Sequence, residues 1–388
     1  FDDSLKRALD ALAVLNYPGV SDPKLKIATK LRLQDGLNHA SAVQYEVGDD
    51  VDGVSYRLPE DSNGLGYQNL VSMVFALMGF RDAWMKVGKA GKAGAAPPAP
   101  LHLVLIEEPE AYLHAQVQQV FIKRAYAVLR NLPELGELTD FRTQLVVSTH
   151  SSHVAHACDF AALRYFRRIP ASARNPVPTA CVINLSNVFG DERNQTARFV
   201  ARYLKATHCD LFFADGAVFI EGASERILVP HFVEERNEFE YLRNAYISWL
   251  EVGGSHAHRF KSLVKALGLT TLIITDLDAK DPSTGRKIGP KRGANLEARN
   301  ETIRKWAPAK TLVDELLDLP ENDKAIQDAD YGVRVAYQVP IRVDLSRCAE
   351  GVDDFEFLAN TFEDAVFYEN IAFFKRRALK GFAAIGMA

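Results

Sequence analysis

Two short apolar runs, each ending in acid, constrain this chain more than any other feature. The first is Ala217-Val218-Phe219-Ile220, bounded by Gly216 and Gly222, with a helical pattern opening at Ala223. Glu221 falls at the carboxyl end of that run, and Glu225 four residues later, about one turn into the helix and on the same side. The second run is Thr271-Leu272-Ile273-Ile274, followed by Thr275-Asp276-Leu277-Asp278. Asp276 and Asp278 are two residues apart, so a strand or its extended continuation points both carboxylates the same way. If the runs are neighbours in a parallel sheet, four carboxylates meet at its carboxyl edge, where open α/β sheets hold their ligands. Two unit charges about 5 Å apart repel by roughly 3 kcal/mol at an effective dielectric near 20. Hard divalent cations are the natural remedy, and Mg2+ works through carboxylates together with substrate phosphates. That is the chemistry of a two-metal phosphodiester site. Any one of these acids alone would read as a helix N-terminal acid favoured by the dipole, or as a polar strand end. Their combination at βαβ-like spacing is the specific signal.

At 388 residues the chain is long enough for two domains, each with its own core. A hydrophobic content of 47% with 25% charged residues describes a globular protein rather than a disordered one. No apolar run approaches the roughly 18 residues needed to span a bilayer, so no membrane partner is expected. No signal peptide opens the chain, and the start at Phe1 suggests a trimmed piece. Cys158, Cys181, Cys209 and Cys348 lack CxxC or CxxH spacing, which argues against zinc and fits a reducing cytoplasm. A net charge of −4 excludes a general polyelectrolyte binder. Residues 280–310, however, carry nine basic and three acidic side chains, a local excess of +6 directly after the aspartate pair. A basic loop beside an acidic metal site suits a phosphate backbone, and Lys287, Lys291 and Arg292 are the expected DNA contacts. A solvated surface loop is the plain alternative.

Upstream, residues 1–16 carry Leu5, Leu9, Leu12 and Leu15 at helical spacing. Residues 24–33, 42–47 and 53–58 read as a small antiparallel group of strands. Ser62-Asn63-Gly64-Leu65-Gly66 then leads into an apolar helical stretch at 71–80, a helix start that exposes backbone N–H groups to an anion or is simply capped after a tight turn. Residues 86–100 are a Gly/Ala/Pro/Lys-rich loop without the Gly-Lys-Ser/Thr of a P-loop. Leu101 to Ile106 reads as a buried strand ending in Glu107-Glu108-Pro109-Glu110, followed by a long helix to Leu129. Gln144 to Val147 reads as a second strand ending in Ser148-Thr149-His150-Ser151. Two such strands joined by a helix suit a parallel sheet with a nucleotide site at its edge. Residues 155–167 read as strand or mixed structure, 194–208 as helix, and the domain boundary falls near residue 210. His256 and His258, two apart with no third N or S ligand in view, read as surface histidines. Residues 247–252 and 331–343 complete the strands.

These motifs resemble known families. The Glu221-Gly222-Ala223-Ser224-Glu225 and Asp276-Leu277-Asp278 pair is similar to the Toprim domain shared by topoisomerases, bacterial primases and a group of nucleases. Residues 101–115 look like the Walker B segment and D-loop of ABC-type ATPases, Ser148 to Ser151 like their switch-histidine segment, and Ser62 to Gly66 occupies the place of the signature loop. That similarity implies an ATP and Mg2+ site in which Glu107 helps hold the ion, Glu108 orients the attacking water and His150 senses the γ-phosphate, with Ser62, Gly64 and Gly66 at the nucleotide. No G-x-x-x-x-G-K-[ST] occurs in the sequence, so the Walker A loop is missing and the chain is not expected to hydrolyse ATP by itself. An ABC-type head followed by a Toprim domain resembles the OLD (overcoming lysogenization defect) nucleases, which include the nuclease subunit of Gabija-type anti-phage systems. The resemblance covers most of residues 54–388. It implies an α/β protein: a partial ABC-type head over 1–210, then a Toprim nuclease domain over 211–388 with a mainly parallel sheet flanked by helices. It further implies two Mg2+ or Mn2+ ions held by Glu221, Glu225, Asp276 and Asp278, completed by Thr361-Phe362-Glu363. A catalytic Lys380 in Lys380-Gly381-Phe382-Ala383 would stabilise the transition state. The implied partners are DNA, a second copy in a homodimer, and in some members a helicase subunit. The competing expectation is a non-catalytic SMC-like clamp with a structural Toprim domain.

Overall fold

The computed structural model describes residues 24–29, 41–47, 56–59, 62, 64–87, 91, 96–135, 140–173, 176–189, 195–328, 331–343 and 355–376. The leucine-spaced stretch 1–16, Asn63 and Lys380 lie outside the described residues. The chain divides into two compact units, Phe1–Asp159 and Phe160–Ala388.

In the first unit, β1 (Lys24–Thr29), β2 (Ser41–Val47) and β3 (Tyr56–Pro59) pair antiparallel, as their alternating sequences predict. Helix α1 (Leu65–Met85) starts at Gly64 and stops where Lys86 turns left-handed at φ 55°. Strands β4 (Leu101–Glu107) and β5 (Arg142–Ser148) are parallel, with Glu107 opposite Ser148. The connecting helix, α2 (Ala115–Arg130), packs Phe121, Ala125 and Leu129 against Leu70, Val74 and Leu77 of α1, with Val104 of β4 beneath. Arg81, 1% exposed, donates to the carbonyls of Val128 (3.2 Å) and Asn131 (2.7 Å), tying α1 to the carboxyl end of α2. Strand β4 reads in sequence as buried on both faces, but its burial alternates. Val104 points inward, while Leu101, Leu103 and Leu105 are exposed, Leu105 by 70%. His102, the polar break in that run, is buried and stacks on Trp84 at 4.6 Å. The region read as mixed structure resolves into α3 (Ser152–Ala157), capped by Ser151, and a strand beginning at Arg164.

The second unit opens with an antiparallel hairpin, β6 (Arg164–Ile169) and β7 (Thr179–Asn184), and with α4 (Gln195–Tyr203). This division falls well ahead of residue 210, because residues between the two positions pack onto the downstream half of the chain. Phe160 meets Phe212 edge-on at 5.8 Å, and the Tyr203 hydroxyl donates to the Glu251 carbonyl at 2.6 Å. The main sheet holds β8 (Gly216–Ile220), β9 (Ile247–Glu251), β10 (Thr270–Ile274), β14 (Ala325–Gln327) and β15 (Gly332–Ala336) in the order β14-β15-β10-β8-β9. All its pairings are parallel except that of the edge strand β14. Every residue of β8 is buried, as a central parallel strand requires. Phe219, fully buried, packs on Phe260 at 5.2 Å. Helices α5 (Ala223–Glu235) and α6 (Lys261–Leu267) follow β8 and precede β10. Between β10 and β15 the chain forms a small sheet of β11 (Ala279–Lys280), β12 (Lys287–Ile288) and β13 (Glu297–Ala298), then helix α7 (Glu301–Lys305). The stretch 331–343, read as one strand, is two: β15 and β16 (Ile341–Val343), the latter paired with β17 (Phe355–Phe357). Pro340, which has no N–H for a ladder, lies between them. Helix α8 (Phe362–Glu369) comes next.

Candidate functional site

Strands β8 and β10 are adjacent and parallel, with Phe219 opposite Ile273, so the glutamate and aspartate motifs leave the same edge of the sheet side by side. Their contact is direct. Glu221 Oε2 accepts from the Asp276 N–H (2.9 Å) and from the Thr275 hydroxyl (3.1 Å). From Thr275 to Ala279 burial alternates: Thr275, Leu277 and Ala279 point into the core, leaving Asp276 and Asp278 on the other side. Glu225 sits in the first turn of α5 and reaches back to the Gly222 N–H at 3.0 Å. Thr361 caps α8, accepting from the Asp364 N–H at 3.3 Å, and Glu363 in that first turn accepts from the Ser224 hydroxyl. Two helix N-termini and two strand ends therefore deliver five acids to one place.

The charges feel one another. Burial, then the Glu221 carboxylate, pushes the Asp276 carboxyl up to about 7, although Gln338 donates to it. Burial also raises Glu225, against the pull of backbone N–H groups, with Glu363 and Glu221 adding to the rise. Glu363 itself is held below the usual carboxylate range by the Ser224 hydroxyl and backbone N–H donation. Asp278 is matched differently: Lys287 Nζ lies 2.8 Å from one of its oxygens and Arg299 4.0 Å from the other. Each acid is thus turned toward a donor of the protein. Among the described residues, no three or more His, Cys, Asp or Glu side chains are arranged to hold an ion as they stand. The donor set nonetheless fits a hard divalent cation: it is all oxygen, it is gathered at one sheet edge, and its members repel.

Three residues without a sequence signature hold this edge together. Asn300, 2% exposed, donates to the Thr275 hydroxyl oxygen (2.7 Å) and the Asp276 carbonyl (3.2 Å), while its own oxygen caps α7. Gln338 accepts from the Leu277 N–H at 2.6 Å and donates to Asp276. Thr275 links Asn300 to Glu221. Their partners are remote in sequence, so periodicity carries no trace of them. Of the expected DNA contacts, Lys287 faces Asp278. Arg292 is committed to Asp318 (2.6 Å) and Glu356 (3.3 Å), and Lys291 is exposed. Much of the basic excess over 280–310 is similarly matched, with Lys280 on Glu297 and Lys310 on Glu315. His258 is no surface histidine: it is largely buried and lies 3.5 Å from Glu301.

In the first unit, Glu107 closes β4 and Glu108 adopts a left-handed φ of 47°, with its carboxylate 3.1 Å from His150 Nε2. Glu110, to which the sequence motif assigns no role, fixes this pair. It accepts from the Thr149 hydroxyl and the His150 N–H, both at 2.7 Å. Burial would raise its carboxyl, but those donors more than offset it, and it titrates below the usual range. Gly66 allows the Tyr112 backbone to approach: a Cβ at residue 66 would lie 2.3 Å from the Tyr112 oxygen. Ser62 and Gly64 are exposed beside it.

Residues 212–278 match the family described as "Overcoming lysogenization defect protein-like, TOPRIM domain", and residues 1–155 match "AAA ATPase domain". Among curated proteins, the chain is 26% identical over 309 residues to "Endonuclease GajA" of Bacillus cereus (strain HuB5-5), covering 76% of this chain and 42% of that protein. It is 27% identical over 268 residues to "OLD nuclease" of Thermus scotoductus (strain ATCC 700910 / SA-01), covering 66% and 44%. The chain therefore spans less than half the length of these relatives. A solved structure titled "Structural biochemistry of ATP-driven dimerization and DNA stimulated activation of SMC ATPases" shares 15% identity, covering 47% of this chain and 83% of that one, at a TM-score of 0.26, too slight to argue from. An AAA-type ATPase segment thus leads into an OLD-like TOPRIM sheet whose acids stand where the two motifs place them, and the chain is similar to nucleases of the overcoming lysogenization defect (OLD) family.

Proposed function

We propose that this chain carries a divalent-metal-dependent DNA endonuclease site, built by Glu221, Glu225, Asp276, Asp278 and Glu363 with Thr361 at its rim. The observation that carries this reading is the Asp276 carboxyl, pushed up to about 7 by burial and by the neighbouring Glu221 carboxylate. Acids gathered at that cost in charge favour a divalent cation as their partner, which supports the metal-dependent reading. The names of the relatives, an endonuclease and a nuclease, point the same way. Mg2+ or Mn2+, when bound, supplies a water of lowered pKa and neutralises charge on the leaving oxygen.

The chain's own residues do the rest. Asn300 and Thr275 fix Glu221, Gln338 aims Asp276, and the first turns of α5 and α8 present Glu225 and Glu363. Lys287 and Lys291 would meet the DNA phosphates, and Lys380 would stabilise the transition state. The nuclease domain would comprise 211–388, with Phe160 and Tyr203 of the preceding stretch packed onto it. The first unit, through Glu107, Glu108, His150 and the Ser62–Gly66 loop, would couple the state of bound ATP and Mg2+ to cleavage, in a homodimer and with or without a helicase partner. The setting would be cytoplasmic phage defence or DNA processing. Among the described residues no helix is long and apolar enough to cross a membrane. Supercoiled plasmid incubated with Mg2+ or Mn2+ tests the reading. The wild-type chain nicks it and Asp276→Ala does not; equal nicking by both, or by neither, refutes it.

A further inference from the structure

Asp278 differs from the other acids of the site in being matched by cations rather than neutral donors. Lys287 Nζ lies at 2.8 Å and the Arg299 guanidinium at 4.0 Å. Both belong to the stretch around the small β11–β12–β13 sheet, which begins one residue after Asp278. The backbone of Lys287 is fixed: β12 pairs with β11, placing Lys287 opposite Lys280. Just beyond, a Cβ on Gly289 would lie 2.8 Å from the Asn360 side chain, so β12 is seated against the loop that leads to Thr361 and Glu363. Arg292 pins the same strand's exit to Asp318 and Glu356. The Lys287 side chain, in contrast, is 65% exposed. A rooted backbone with a long, solvated stem lets the amine leave Asp278 without any movement of the fold.

Resting on the nuclease reading above, we propose that Lys287 is an exchangeable counter-ion. It neutralises Asp278 while no divalent cation is bound, is displaced when one takes that carboxylate, and then contacts the phosphate of bound DNA. An ammonium and a divalent cation cannot share one face of a carboxylate without repelling each other. The displaced amine stays rooted at the mouth of the site, where it can pair with a backbone phosphate. Lys287 therefore opposes metal binding in the absence of DNA and favours DNA binding in the presence of metal.

The two effects have opposite signs, which a purely structural ion pair does not produce. Mn2+ is titrated calorimetrically into the full chain, and a labelled, phosphorothioate-linked DNA duplex is titrated by anisotropy with and without Mn2+. Lys287→Ala is expected to tighten Mn2+ binding about 2- to 5-fold, the range of an exposed ion pair. It is expected to weaken DNA binding only when Mn2+ is present, lowering the salt slope there by about 1. Lys287→Arg should behave like the wild type in both titrations. Unchanged or weaker Mn2+ binding by Lys287→Ala, or an equal loss of DNA affinity with and without Mn2+, overturns the inference while leaving the metal site standing. Failure of the wild-type chain to take up Mn2+ in an Asp276-dependent way overturns both.

Discussion

The replacement Asp276→Asn isolates the electrostatic cost of the site. In the metal-free protein the Asp276 carboxyl titrates at about 7 rather than at its ordinary 3.8, chiefly through burial and the Glu221 charge. That rise corresponds to about 4 kcal/mol. Halving it for screening at a carboxyl that retains some access to water leaves about 2 kcal/mol. The folded-state value lies above the unfolded one, so this group's stabilising contribution is complete below its ordinary value and is lost as pH rises through about 7. Asparagine removes the charge while keeping an oxygen for the Gln338 amide. In EDTA at pH 8, Asp276→Asn should therefore melt above the wild type. For a unit of this size about 2 kcal/mol corresponds to roughly 4–8 °C. The gap should close as the pH falls toward 4.5, where the wild-type carboxyl is protonated as well. Saturating Mn2+ should reverse the order, since only the wild type gains stability by binding it. Differential scanning calorimetry across pH 4.5–8.5 measures all three. A variant no more stable than the wild type in EDTA at pH 8, with no trend in pH, would refute the account of repelling acids.

Two further predictions concern the residues that position others. Asn300→Ala removes the cap of α7 and two bonds to the β10 edge, all in a buried setting. It should cost about 2–4 kcal/mol in urea unfolding, a cap at about 1 plus the unpaired groups left behind; a loss under about 0.5 would mean that water replaces it freely. Glu110→Ala frees the Thr149 hydroxyl and the His150 N–H. Hydrogen exchange at residues 148–151 should then quicken about 10-fold or more, the equivalent of losing a charge-assisted bond of about 1.5–3 kcal/mol; unchanged protection there would remove Glu110 from its positioning role.

What could be read from the sequence was what local chemistry fixes. The Val218–Ile220 and Thr271–Ile274 runs have the β-branched and apolar make-up of buried strands, Gly216 and Gly222 bound the first, and the acids sit at the ends. The structure adds that the runs are neighbours and parallel. Gln338 and Asn300 were not legible because their partners lie across the fold: Gln338 is 61 residues from Leu277, and Asn300 is 25 from Thr275. Glu110 was hidden inside an acidic motif whose other members attracted the functional reading. For β4 the error was one of faces. A largely apolar run signals burial on both sides only where both sides are covered, and Leu103 and Leu105 are exposed on the side away from α1 and α2.

The same remote contacts explain how so many acids fold to one edge of the sheet. Each is stabilised by a separate, inexpensive device. Glu221 has a hydroxyl and a backbone N–H, and Glu225 and Glu363 have the first turns of helices. Asp276 has the Gln338 amide, and Asp278 has Lys287. None of these donors is shared, so no single substitution among them should unfold the unit, whereas each cation ligated must win its carboxylates from several donors in turn. Affinity for the ion is then a difference between two well-bonded states. On the proposed function, weakening a donor, as at Lys287, should strengthen it, and removing a proposed ligand, as at Asp276, should abolish it.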